Sequence, residues 1–139
     1  MTLVLAEPRL NVGVVANDRA EALAFWHEFL GFPIAGEASF PGLTVIRLMV
    51  GESVLRICVP DKAAALAHVG DLSEETGLRY LTLAVRNLDE IVAAAAAKGY
   101  PVLTQPKVLR PGVRVAMISD GRGVSIELPA TATTRAFCR

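Results

Sequence analysis

At 139 residues, with 53% hydrophobic and 20% charged side chains, the chain can bury a sizeable core, as one compact domain or two small modules sharing it, and a disordered chain is excluded. Lys+Arg and Asp+Glu are both 14, and a net charge of zero gives no general attraction to nucleic acid or to an anionic membrane. Cys58 and Cys138 make no disulfide framework, no apolar run can span a bilayer, and Met1 to Ala6 meets Glu7-Pro8 too soon for a signal peptide, so a reduced, cytoplasmic setting is expected.

Residues 9–16 are valine-rich and alternate weakly, which predicts a buried strand. Asp18 then caps a helix, with Glu21 as its capping-box partner. Leu23, Phe25, Trp26, Phe29 and Leu30 form an apolar face at helical spacing, and Gly31 stops the helix. A short strand over 33–37 belongs at an edge, because Pro33 has no amide to donate. Residues 43–50 and 53–59 predict a hairpin turning at Gly51-Glu52. Residues 61–77 form a linker, with a short helical piece over 63–68 and a charged turn over 71–75. A strand is predicted over 79–85, and a helix over 87–98 with Asn87 and Glu90 as cap and partner. Three strands follow over 101–105, 113–119 and 124–128, and 131–139 lacks periodicity and reads as a frayed tail.

The order strand, helix, three strands thus occurs twice. Gly31-Phe32-Pro33-Ile34 after the first helix is matched by Gly99-Tyr100-Pro101-Val102 after the second. The expectation is an α+β fold of two βαβββ modules, 9–60 and 78–129, with the linker 61–77 between them and a tail over 130–139. Each module makes a twisted mixed sheet with a helix on one face, and one module is too small to bury both sheet faces. Two side by side would leave a concave, partly enclosed cup, which is a reasonable place for a ligand.

Val12-Gly13-Val14-Val15 before Asn17-Asp18, Phe25-Trp26 before Leu30-Gly31-Phe32, and Asp120-Gly121-Arg122-Gly123 before Ile126-Glu127-Leu128 together resemble the vicinal oxygen chelate superfamily. That group holds glyoxalases, bleomycin-resistance-type binding proteins, extradiol dioxygenases and methylmalonyl-CoA epimerases. The Asp120 turn is similar to the family's Asp-Pro-Asp-Gly-Asn turn and terminal Ile-Glu-Leu strand, and the resemblance covers roughly residues 9–129. It implies that a divalent ion, where one is used, is held by His, Gln or Glu from the first and last strand of each module. Those positions fall on Asn11, Arg56, Tyr80 and Glu127, of which Glu127 alone matches a common ligand. Asn11 offers a weak carbonyl donor, a tyrosine must lose a proton of pKa about 10 to ligate, and arginine repels a cation. Without a one-residue gap in the first hairpin, Ile57 takes the place of Arg56 and is no better. His27 in the first helix and His68 in the linker do not replace the missing ligands. The family metal, and any other cofactor, is therefore expected to be absent.

Strand alternation puts Arg56 with Val54 and Cys58, Glu127 with Ser125, and Tyr80 with Thr82, each opposite an apolar set. The expected cup lining is Asn11, Arg56, Cys58, Tyr80, Thr82 and Glu127 in an otherwise apolar wall. Arg47 lies in an apolar run, either as a cup-facing anion anchor or on the solvent side, and the sequence leaves both open. In a catalytic version, Arg56 stabilises an enolate or carboxylate oxygen in place of a metal, Glu127 is the general base or acid, and Tyr80 donates a hydrogen bond or carries a second proton. That set suits metal-independent isomerisation, epimerisation or elimination next to a carbonyl. In a binding version, Arg56 and Glu127 are a partly buried ion pair with no catalytic role, and that version is favoured because such pairs often have none. Either way the expected ligand is a small, fairly apolar carbonyl or aromatic compound. The alternatives are an antibiotic-binding resistance protein and a metal-dependent glyoxalase or extradiol dioxygenase. Phe25 and Trp26 read as core, Cys58 as a small residue with no histidine to activate it, and Arg110, Arg114 and Arg122 as solvated. The glycines at 121 and 123 make a turn and not a phosphate cradle, since a strand follows them. A homodimer is expected by analogy with two-module members of the family.

Overall fold

The computed structural model describes residues 1–68 and 71–131. It divides into two compact units, Met1–Ala65 and Leu66–Arg139, and each has the order strand, helix, three strands. The duplication seen in the sequence is therefore a duplication of topology.

In the first unit, β1 (Val12–Val15) leads to α1 (Arg19–Leu23), which runs on into a π-helical segment (Ala24–Phe29). Strands β2 (Ile34–Phe40), β3 (Leu43–Val50) and β4 (Ser53–Pro60) form an antiparallel meander, and β1 joins β4 in parallel to give the order β1-β4-β3-β2. The Asp18 carboxylate accepts the Glu21 amide at 3.0 Å and caps α1 as the sequence predicts. The wide turn that follows is closed by the Leu30 amide donating to the Phe25 carbonyl at 2.9 Å. It opens where two adjacent aromatic residues are both buried: Phe25 and Trp26 are each 1% exposed, with their rings edge to face at 4.8 Å. One sheet face supplies Val14, Ile46, Leu48, Leu55 and Ile57 to the core. Glu37 shares that face and pairs with Arg19 at the start of α1.

The second unit repeats the plan with β5 (Leu81–Thr82), α2 (Leu88–Ala97), β6 (Val102–Arg110), β7 (Val113–Ser119) and β8 (Ser125–Thr131), in the order β5-β8-β7-β6. Leu88, Val92 and Ala95 of α2 are buried, as are Ala116, Ile118, Ile126 and Leu128 of the sheet, and α2 packs along β6, β7 and β8. Arg114 of β7 reaches Asp89 of α2 through two bonds of 2.8 and 2.7 Å, so it is paired where the sequence suggests simple solvation. That fork holds the Asp89 carboxyl below its ordinary range. The helix ends in a Schellman turn: the Gly99 amide donates to Ala96 and the Tyr100 amide to Ala95, with Gly99 at φ 86°.

Several elements differ from the sequence reading. β1 is four residues long, and β5 only two, although the Leu83 and Val85 amides continue its ladder by donating to Glu127 and Pro129. β2 extends to Phe40, because a turn at Pro41-Gly42, with Gly42 at φ 81°, makes a hairpin the sequence reading omits. β6 extends to Arg110 through Pro106, which the end position of the strand in its sheet tolerates. Residues 63–68 are not helical. The Asn17 side chain holds the Ala64 amide at 2.8 Å and its carbonyl at 2.9 Å, using both groups that a helix would pair. Asn87 caps α2 by backbone alone, with no side-chain bond, so the second capping box does not form. β8 runs on through Thr131, while the rest of the expected tail and Cys138 lie outside the described residues. Among the described residues, no helix is long and apolar enough to cross a membrane.

Candidate functional site on the open sheet faces

The face of the first sheet turned away from its buried side carries Val45, Arg47 and Met49 of β3, directly opposite Cys58, Arg56 and Val54 of β4. Gly13 and Val15 of β1 flank Arg56 and Cys58, and Gly36 and Ala38 of β2 flank Arg47 and Val45. Arg47 therefore shares the open face with Arg56, and the two are direct cross-strand partners. Among the described residues of the first unit, neither forms an ion pair or hydrogen bond. A cavity of about 380 Å³ is lined by Ala38, Phe40, Val45, Arg47 and Arg56. Arg47 lies across Gly36 so closely that a β-carbon there would sit 2.5 Å from its Nη2. Cys58 is half-buried with a free thiol. Asn11 precedes β1, and its Oδ1 accepts the Val54 amide at 3.0 Å, so this side chain fastens the chain to β4.

In the second unit, Thr82 of β5 and Glu127 of β8 are register partners on one face, and the Thr82 hydroxyl donates to Glu127 Oε1 at 3.0 Å. Met117 of β7 stands opposite Glu127 on the other side. Tyr80 lies just before β5 and is exposed. Arg79, its neighbour, is tied to the Asp71 and Leu72 carbonyls and to Glu75, which fixes the approach to β5.

Of the sequence-selected residues, Arg47, Arg56 and Cys58 thus lie on one open face in the first unit, with Asn11 at its margin. Thr82 and Glu127 meet across β5 and β8 in the second unit, with Tyr80 just before β5. Sequence reasoning missed Gly36, Ala38, Phe40 and Val45. A glycine within a predicted strand was the available signal, since such a residue often marks a close approach.

The four positions that correspond to metal ligands do not suit a divalent ion. Asn11 already spends its carbonyl oxygen on Val54, Arg56 is a cation, Tyr80 is a phenol, and Glu127 is one carboxylate engaged by Thr82. Among the described residues, no group of three or more His, Cys, Asp or Glu is arranged to hold a metal.

Residues 10–128 match the family model of the Glyoxalase/Bleomycin resistance protein/Dioxygenase superfamily. The chain belongs to that superfamily. No curated protein matches it by sequence. Among solved structures, it is similar to a glyoxalase family protein from Enterococcus faecalis, with TM-score 0.67 and 23% identity over 86% of this chain and 93% of that one. It is also similar to a glyoxalase family protein from Bacillus cereus, with TM-score 0.73 and 17% identity over 92% and 99%. The trypanothione-dependent glyoxalase I of Leishmania major aligns with TM-score 0.70 and 18% identity over 95% and 93%. These likenesses establish the two-module fold.

Proposed function

We propose that this chain binds a small, fairly apolar carbonyl or aromatic compound on the open face of its first sheet, without the divalent ion that some members of the superfamily use. The observation that carries this reading is Arg56 at a metal-ligand position with a second arginine, Arg47, directly opposite it. Two fixed positive charges there disfavour a cation and favour a polarised or anionic oxygen. Elemental analysis of the purified protein tests the metal half of the reading, with far less than one equivalent of Fe, Mn, Ni or Zn expected. One equivalent of metal, lost in Glu127→Gln, would overturn it.

A second reading, proton transfer next to a carbonyl, is favoured by the setting of Glu127. Its Oε1 takes the Thr82 hydroxyl, which fixes the carboxylate, and it forms no further hydrogen bond among the described residues. Glu127 is then the base or acid, with Tyr80, just before β5, donating a hydrogen bond. On an identified substrate, Glu127→Gln is expected to keep binding and lose at least about a hundredfold in turnover. Full turnover in that variant leaves the binding reading alone. A homodimer accompanies this proposal, and light scattering at micromolar concentration showing a monomer would remove it.

A further inference from the structure

The geometry points to an anion clamp in the first unit: Arg47 and Arg56 together hold the carboxylate of a ligand whose aryl or alkyl body lies against Ala38, Val45 and Phe40. This deepens the reading above and rests on its premise that a small molecule occupies the open face. Like charges directly opposite each other on neighbouring strands repel, and here no carboxylate of the same unit relieves them. Paired guanidinium groups present several N–H donors in planar forks, which match the two oxygens of a carboxylate.

Gly36 supports this reading independently. Any side chain there would collide with the Arg47 guanidinium, so the missing β-carbon makes room for the group in its observed place. The rest of the cavity is hydrocarbon, and Phe40 is 56% exposed. A bare inorganic anion would leave that wall wet, whereas an apolar monocarboxylate uses both the charge and the wall. The volume of about 380 Å³ falls at the lower end of small-molecule sites, which run from roughly 300 to 1,000 Å³.

Titration calorimetry with 3-phenylpropionate, 3-phenylpropionamide and inorganic phosphate on the full chain tests the clamp. The carboxylate is expected to bind about tenfold or more tightly than the amide, with phosphate weaker than the carboxylate. Arg47→Gln and Arg56→Gln should each erase most of the preference for carboxylate over amide. Gly36→Ala should reduce it by displacing Arg47, and Phe40→Ala should weaken both organic probes while leaving their ratio unchanged. A separate readout needs no ligand. Relief of repulsion in Arg47→Gln should raise the Tm of the free protein by about 1–3 °C. Equal binding of carboxylate and amide, or a preference that survives both arginine variants, overturns the clamp but leaves small-molecule binding at this face standing. Phosphate binding as tight as the carboxylate reduces the site to an adventitious ion only and overturns the clamp as well. No binding of any probe at millimolar concentration overturns both readings. If Arg56→Gln does not fold, Gly36→Ala and the amide comparison still decide the matter.

Discussion

Asp120 shows how one side chain can build a turn at a cost. Its Oδ1 accepts the amides of Arg122 at 2.8 Å and Val124 at 3.0 Å, shaping the tight loop between β7 and β8. Burial pushes its carboxyl above the ordinary range, and the two amides and the Arg122 charge only partly offset this. A carboxyl whose folded pKa is raised contributes most below its unfolded pKa, and that contribution is lost as pH rises through the folded value. An asparagine carbonyl can accept the same amides without being charged. Asp120→Asn is therefore expected to match or exceed the parent Tm at pH 7, with the difference vanishing below about pH 3.8, the unperturbed aspartate region. Thermal melts at the two pH values check this, and a variant that loses stability at pH 7 would show that the charge itself holds the turn. Residue-level expectations from the sequence succeed at Asp18, where the partner is near, although Asn87, with Glu90 equally near, makes no side-chain cap. They also fail where the partner is far: nothing near Asn11 signals that its oxygen is taken by Val54, 43 positions away. Arg47 could not be assigned to a face because Val45, Ile46, Leu48 and Met49 around it are apolar on both sides of the strand.

At the scale of elements, the alternation of β4 and β8 was legible because each strand has a uniformly apolar face. Leu55 and Ile57 are buried while Arg56 is not, and Ile126 and Leu128 are buried while Glu127 is half-exposed. The same alternation puts Thr82 and Glu127 in the expected polar lining, but it does not foretell the hydrogen bond between them. Local propensity failed at 63–68, where an alanine-rich stretch suggests helix and two bonds from Asn17 impose an irregular path. That clamp ties the end of the first module back to the loop before α1. Asn17→Ala is expected to cost about 1 kcal/mol, since each net hydrogen bond at an exposed site is worth roughly 0.5–1.5 kcal/mol. Urea denaturation measures the loss, and faster trypsin cleavage after Lys62 reports the freed segment. Unchanged stability together with unchanged cleavage would mean that the path is held by other contacts. The π-helical segment was not legible at all, because Phe25-Trp26 fits an α-helical face equally well until its burial is known.

At the scale of the molecule, duplication conserves architecture while the equivalent positions diverge. The sheet orders β1-β4-β3-β2 and β5-β8-β7-β6 are the same permutation, yet Arg56 on β4 corresponds to Glu127 on β8. The fold was legible because it rests on a pattern of apolar and turn residues repeated along the chain. The site was legible only in outline, because its walls depend on cross-strand register. A balanced total charge also conceals a local excess: charges beyond about 8 Å are screened at physiological salt, so a ligand at the first sheet senses Arg47 and Arg56 and not the zero sum. If the chain works without a divalent ion, EDTA should leave its Tm unchanged, and a fall of several degrees would reveal a bound metal that stabilises the fold.

The single parallel ladder in each unit sets an order of events during synthesis. Val12 must find Leu55 and Leu81 must find Ile126, whereas the hairpins join neighbours across short connections, two residues at 41–42, 51–52 and 111–112 and five at 120–124. Closing a long loop costs entropy that a hairpin does not. On the ribosome β1 emerges first, yet it has no place to dock until β4 has followed it out. Pulse-labelling hydrogen exchange during refolding should accordingly protect the amides shared by β3 and β4 before those of β1. Each module then closes with the strand that was made first.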